Sequence, residues 1–162
     1  MDGNKYMPQN KKFLKLFPIA LTLGMIIFSG SLLSETQSGV SIDQAWIRYT
    51  PGQGPMAGYF VLKNSGTKRV KLCGASSAAF GGLMFHKTMV KDGQASMVMV
   101  RDCLKVNAGE NLSFVPGSYH IMLMNRRSQI NVGDDVTINL NFKNMAKMAV
   151  KFNVKPIGFE DY

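Results

Sequence analysis

From residue 40 onward, apolar and polar residues alternate in short segments that are separated by turn-forming residues. A period of two is typical of β-strands, because successive side chains of a strand point to opposite faces of the sheet. No segment of this region shows the period of an amphipathic helix. The alternation predicts these strands: Val40–Tyr49, Ala57–Lys63, Val70–Cys73, Gly82–Val90, Ala95–Val100, Asn111–Phe114, His120–Met124, Asp135–Phe142 and Met148–Val154.

The predicted strands are separated by clusters of Gly, Pro, Asn and Asp, of which Asp92-Gly93 is the clearest. An Asp-Gly pair between apolar runs is typical of a tight β-hairpin. Turn signals every ~8–12 residues predict an all-β fold, an antiparallel β-sandwich or barrel. No repeat or linker divides this region, so we expect one β-sandwich domain over residues 35–162. The tail after Pro156 has no clear pattern.

The strand predicted at His120–Met124 has one ordinary core face and one unusual face. Ile121 and Leu123 share the apolar face, whereas His120, Met122 and Met124 share the other. Methionines that stand opposite a complete core face are poorly explained as core filler.

Alternation also predicts the position of the methionines in the strand after Asp92-Gly93. Met97 and Met99 alternate with Val98 and share their face with Arg101. Because an arginine prefers water, we expect Met97 to lie on an outer or rim face.

Residues 1–34 differ from the rest of the chain. Lysines such as Lys5 and Lys15 precede an uncharged, largely aliphatic run, Leu16–Leu33, and Ser34 follows it. This order predicts a bacterial-type signal peptide. The run is also long enough to remain as an uncleaved anchor. We therefore expect a periplasmic or exported protein, contacting the inner membrane only through this segment if it is not cleaved.

The charge balance excludes little. Lys and Arg number 19 against 10 Asp and Glu, a net charge of +9, and the basic residues are scattered with no nucleic-acid-binding motif among them. A basic surface suits an acidic partner or anionic lipid, but a solvated face is the commoner explanation, because such charge usually serves solubility. We expect a monomer with no nucleic-acid partner.

Motifs that commonly mark a hydrolytic active site are missing from the sequence. It has no Gly-x-Ser-x-Gly, no zinc-type histidine pair and no carboxylate pair beside a histidine, so we expect no enzyme. Cys73 and Cys103 do not form a Cys-x-x-Cys pair. An oxidising compartment allows a disulfide between them, but spacing alone leaves two unpaired thiols equally open.

The chain has two histidines, and both lie in a methionine-containing pattern. Ten residues separate His86 from Met97, and 22 more lead to His120-Ile121-Met122. Imidazole and thioether groups suit Cu(I) and suit calcium, magnesium or manganese poorly. The pattern therefore predicts a Cu(I) site made of His86, Met97, His120 and Met122.

The other methionines have a simpler interpretation. The chain has 12 methionines, and this residue fills irregular gaps in cores well. We interpret Met56, Met84, Met145 and Met148 as residues that pack in the core or on the surface. Met99 and Met124 share the faces of the candidate ligands and are second-rank candidates.

Several stretches resemble the periplasmic copper chaperones of the PCuAC family. They cover roughly residues 40 to 155, and include a His, ~10 residues, Met, ~21 residues, His-x-Met pattern that falls on the four candidate ligands. Two departures are a second interval of 22 residues and Lys87, where many relatives carry an acidic residue. The matching stretches are Asp43–Arg48, Pro51, Gly54–Phe60, Gly74–Ser77, His86–Thr88 and Pro116–Met124.

The resemblance implies a cupredoxin-like β-sandwich with a Cu(I) site near the surface and no catalytic activity. It also implies delivery of copper toward the Cu(A) centre of cytochrome c oxidase, to an oxidase subunit or another assembly factor. Two alternatives stay open: an exported β-sandwich that binds a protein or envelope component, and a blue-copper-like electron-transfer protein. The latter needs a cysteine thiolate beside two histidines, and Cys103 lies 17 positions before His120.

Overall fold

The computed structural model of the protein describes residues 39–159, so the predicted signal segment 1–34 lies outside the described residues. Within this range all regular structure is β-strand, as the alternation predicts. No helix among these residues has the length and apolar character needed to cross a membrane. The strands are β1 Val40–Arg48, β2 Met56–Asn64, β3 Val70–Ser76, β4 Phe80–Lys91, β5 Gln94–Met99, β6 Leu104–Val106, β7 Asn111–Phe114, β8 Tyr119–Arg126, β9 Asp135–Phe142 and β10 Met148–Lys155.

The strands form one ten-stranded sheet in the order β5-β4-β8-β7-β2-β1-β10-β9-β3-β6, in which β2 also pairs with β8. Phe85 of β4 and Leu72 of β3 come from distant parts of this order, yet both belong to the same hydrophobic core. The sheet therefore closes around a single core, as the predicted sandwich or barrel requires.

Two pairings differ from a purely antiparallel fold. β1 runs parallel to β10, with Trp46 opposite Asn153, and β7 runs parallel to β8 at a single pair of residues. β1 and β10 are joined through almost the whole domain, so their parallel pairing lies outside the reach of local sequence patterns. The β7–β8 pairing is a single bridge across a short turn, too brief to be visible in the alternation. The prediction of an antiparallel sheet is correct for the other pairings and wrong for these two.

The predicted strands are all present, and Asn111–Phe114 and Asp135–Phe142 match at both ends. Only β6 escapes the prediction, because three residues are too few for a visible alternation. At the β4–β5 turn, Asp92 and Gly93 have φ values of 50° and 75°. A type I′ hairpin turn needs positive φ at both central positions.

Cys73 and Cys103 form a disulfide with their Cα atoms 4.1 Å apart, which resolves the alternative that the sequence leaves open. It ties β3 to the segment before β6, at the end of the strand order opposite to β4, β5 and β8. The tail after Pro156 also contacts the domain, because the Phe159 ring packs edge-on against Trp46 at 5.2 Å.

Candidate metal centre

Both histidines lie on the outer face of two neighbouring strands. Phe85 of β4 and Ile121 of β8 are buried in the core. Because neighbouring residues of a strand point to opposite faces, His86 and His120 point away from the core. The antiparallel register sets His86 directly opposite His120. Residues 34 positions apart in sequence thereby become immediate neighbours.

The two imidazole rings are stacked. Their centroids are 5.8 Å apart and their planes differ by 17°. His120 is only 7% exposed, and its Nδ1 lies 3.4 Å from the carbonyl oxygen of Ser118. In the tautomer that carries a proton on Nδ1, this nitrogen donates to Ser118 and leaves the Nε2 lone pair free, an arrangement common to metal-binding histidines.

Nδ1 of His86 has an unusual environment. It is buried and has no hydrogen-bond partner among residues 39–159. A buried polar atom without a partner is energetically costly, which makes such atoms rare in folded proteins. A nitrogen lone pair in this state is suited to a metal ion.

Burial lowers the pKa of His120 below its usual value. The contact with Ser118 acts in the opposite direction and the charge of His86 acts in the same direction as burial, both with smaller effects. The imidazole of His120 is therefore neutral at neutral pH, and a neutral imidazole is the form that binds metals.

Met97, His120 and Met122 line one cavity of about 440 Å³ on this face. Met122 is opposite Ala57 of β2 on one side and Met84 of β4 on the other. Other cavities, beside Ser77 and Thr137 or beside Asn64 and Met145, contain no histidine in their linings. Three of the four predicted ligands thus meet at one opening, and the fourth, His86, stacks on His120.

Met97 reaches this cavity from the exposed β4–β5 hairpin. It is opposite Thr88 on the adjacent strand, and Met99 is opposite His86. The prediction that Met97 occupies an outer face is correct, because its side chain is 61% exposed. The sulfur of Met97 is therefore accessible to solvent, whereas His120, which lines the same cavity, is buried.

The donor atoms of this face are two imidazoles and a set of thioethers. Among the described residues, no group of three or more His, Cys, Asp or Glu side chains is positioned to hold a metal ion. Zinc sites and most calcium sites draw ligands from such groups. The available chemistry is that of a soft cation.

Arg48 and Met84 also belong to this face, and neither appears among the predicted site residues. Arg48 lines the cavity, and its guanidinium carbon lies 5.7 Å from the Trp46 ring centroid and 5.3 Å from that of Tyr59. Trp46 and Arg48 are two positions apart on β1, and this spacing could have predicted from the sequence that they share a face. Met84 precedes His86 by two residues, a spacing that places both on one face of a strand.

Met56 behaves as predicted. It is 2% exposed and belongs to the core, and Met145 and Met148 pack against that core. Met84 lies instead on the outer face, opposite Met122.

The family model described as "Putative lipoprotein LpqE-like" matches residues 40–154. A relative from Leifsonia xyli subsp. xyli, "Putative lipoprotein Lxx21020", is 31% identical over 117 residues, covering 72% of this chain and 70% of the relative. A relative from Rickettsia prowazekii, "Uncharacterized protein RP573", is 32% identical over 126 residues, covering 75% of this chain and 70% of the relative.

Similar solved structures include the copper-bound PCuAC domain from PmoF2, with a TM-score of 0.61 and 20% identity over 73% of this chain and 93% of that domain. The solution structure of Cu(I)-bound DR1885 from Deinococcus radiodurans gives a TM-score of 0.57 and 28% identity, over 70% of this chain and 76% of that protein. The expected cupredoxin-like β-sandwich is therefore confirmed. The chain belongs to the LpqE-like family, and its fold is that of the PCuAC copper-chaperone domains.

Proposed function

We propose that this protein is a non-catalytic copper chaperone that binds Cu(I) through His86, Met97, His120 and Met122. The observation that carries the proposal is the His86–His120 cross-strand pair, with Met97 and Met122 at the cavity that His120 lines. The unpartnered Nδ1 of His86 supports it further. So does the likeness to the Cu(I)-bound structure of DR1885 at 28% identity.

The donor set suits a cargo better than a permanent cofactor. Thioethers bind Cu(I) without losing a proton, and they cannot be consumed by disulfide formation as thiols can. One of them, Met97, is largely exposed, so an incoming donor from an acceptor protein can replace it without unfolding of the domain.

The disulfide bears on the blue-copper alternative. A blue-copper site needs a cysteine thiolate, and both cysteines of the chain are consumed in the Cys73–Cys103 bond. The bond also favours export, because disulfides persist in oxidising compartments. The lipoprotein description of the family points the same way.

The acceptor that we propose is the Cu(A) site of cytochrome c oxidase, either directly or through another assembly factor. The support is the combined histidine–methionine pattern and the resemblance to PCuAC proteins. Transfer is tested by mixing Cu(I)-loaded protein with the apo Cu(A) domain and separating the two. Copper that remains on the donor would contradict this part of the proposal and leave copper binding intact.

Copper binding itself is tested by titrating the purified protein with Cu(I) in competition with a chromogenic chelator. We expect one tightly bound equivalent, which is lost in the double variant His86→Ala plus His120→Ala. Met89→Leu is the matched control, because Met89 is exposed and lies on the other face of β4. Tight stoichiometric binding that survives removal of both histidines would refute the assignment. A metal-independent protein-binding module would show no binding in any variant.

A further inference from the structure

Met84, Met122 and Met124 form a block of thioethers on the outer face, next to the histidine pair. We propose that these three residues make a second, weaker subsite for a soft monovalent cation, Cu(I) or its analogue Ag(I). The proposal extends the copper-binding function proposed above. Its test nevertheless gives a separate answer, because the block contains neither histidine.

The strand register brings these sulfurs into reach of one another. Met84 is directly opposite Met122, and the Cβ atoms of directly opposed residues are ~4.5–5.5 Å apart. Met124 follows Met122 by two positions on the same face. A methionine side chain is long and flexible enough to span such separations.

Gly82 provides an independent indication that the block is assembled. It is opposite Met124, and a Cβ atom built on Gly82 would be 3.5 Å from the Met124 Cε. The Met124 side chain therefore extends across the glycine onto β4. Met84 is the next residue of β4 on this face, so the Met124 thioether lies on the side of the block where Met84 is placed.

Core packing does not account for the three methionines. The core below them is filled from the opposite face of the same strands by Phe85, Ile121 and Leu123, all of which are buried. The methionines are half-buried on the outer side of the sheet. Their thioethers thus face the region that borders the cavity and remain accessible to an ion.

The chemistry of the block defines its ligand. Three neutral thioethers with no carboxylate suit Cu(I) and Ag(I) and exclude hard cations such as calcium or magnesium. Without an imidazole the set is a poorer donor than the histidine-containing one, so the affinity is lower. Because Met122 belongs to both sets, an ion can pass between them by exchanging one ligand at a time.

The test uses the purified protein with ¹³C-labelled methionine methyl groups and Ag(I), which is redox-inert. We expect the methyl signals of Met97 and Met122 to move with the first equivalent, and those of Met84 and Met124 to move with further Ag(I). The signals of Met89 and Met145 serve as controls and stay unchanged. Met84 and Met124 signals that remain fixed, or that move no more than the controls, would overturn the subsite.

A variant background separates this result from the proposed function. In His86→Ala plus His120→Ala, tight binding is lost, but Ag(I) still moves the Met84, Met122 and Met124 signals. Adding Met84→Leu and Met124→Leu to that background weakens this residual binding by at least about tenfold, whereas adding Met89→Leu does not. Methionine-to-leucine changes conserve volume, and a circular dichroism spectrum verifies folding. No residual binding in the histidine variant would refute the subsite alone.

Discussion

His86 and His120 stand directly opposite each other on β4 and β8, with nearly parallel rings whose centroids are 5.8 Å apart. Their hydrogen bonding is unequal. Nδ1 of His120 contacts the Ser118 carbonyl oxygen, whereas Nδ1 of His86 has no partner among residues 39–159. The fold therefore bears the energetic cost of one buried nitrogen that is available to an ion.

This inequality predicts a conflict between stability and binding at His86. His86→Leu removes the unpaired buried nitrogen and should raise the free energy of unfolding of the metal-free protein by about 1 kcal/mol, while tight Cu(I) binding is lost. Urea denaturation and chelator competition measure the two effects. His120→Leu is the comparison, because it loses binding without a stability gain. Equal stability changes in both variants would contradict the interpretation of the unpaired nitrogen.

The lowered pKa of His120 predicts a specific loss of stability in acid. Between the usual histidine value near 6.5 and the lower folded-state pKa, the unfolded chain binds a proton that the folded chain does not. The stability that comes from a neutral, buried His120 is thus fully present above pH ~6.5. It is lost as the pH falls from there through the folded-state pKa. Urea denaturation at a series of pH values should show a steeper acid decline in the wild type than in His120→Gln. Parallel curves would exclude this cause.

Oxidation should distinguish the exposed ligand from other methionines. Met97 and Met89 are 61% and 51% exposed, and Met56 is 2% exposed, so dilute peroxide should convert the first two to sulfoxides before the third. Bound Ag(I) occupies the sulfur lone pair of Met97 and should protect it, but not Met89. Peptide mass spectrometry measures each rate. A Met97 rate that Ag(I) leaves unchanged would argue against its role as a ligand.

The disulfide should matter for folding and not for metal binding. It closes a loop of 30 residues, and the chain-entropy model gives about 3.6 kcal/mol for a loop of this size. Cys73→Ser plus Cys103→Ser should lower the free energy of unfolding by that amount and leave the Cu(I) affinity unchanged. Serine variants are preferable to chemical reduction, because free thiols would bind Cu(I) themselves. A weakened affinity would show that the disulfide shapes the site.

Alternation predicts which residues share a face because it depends only on the local period of a strand. It separates His120 and Met122 from Ile121 and Leu123, as the structure has them. It cannot predict that His86 lies opposite His120, because that register depends on how two distant strands pair. The same limit applies to the parallel pairing of β1 with β10 and to the bond between Cys73 and Cys103.

Met84 shows a different limit. Methionine serves equally well in a core and at a soft-metal site, so its identity alone favours the commoner role. Only the pairing with Met122 shows that Met84 lies on the outer face, beside the proposed site. The three residues of β6 were missed for a related reason, since Leu104–Val106 is too short for its period to be visible.

The guanidinium of Arg48, stacked on Trp46 and Tyr59, has a consequence for release. The lining of the candidate cavity contains this cation and no carboxylate. A bound Cu(I) would thus be held by neutral dipoles beside a like charge, and repulsion at short range in a partly buried site is substantial. The positive charge of Arg48 would then oppose retention of the ion. An acceptor whose donor atoms are anionic would bind the ion more strongly, even if its ligand geometry were no better than that of this site.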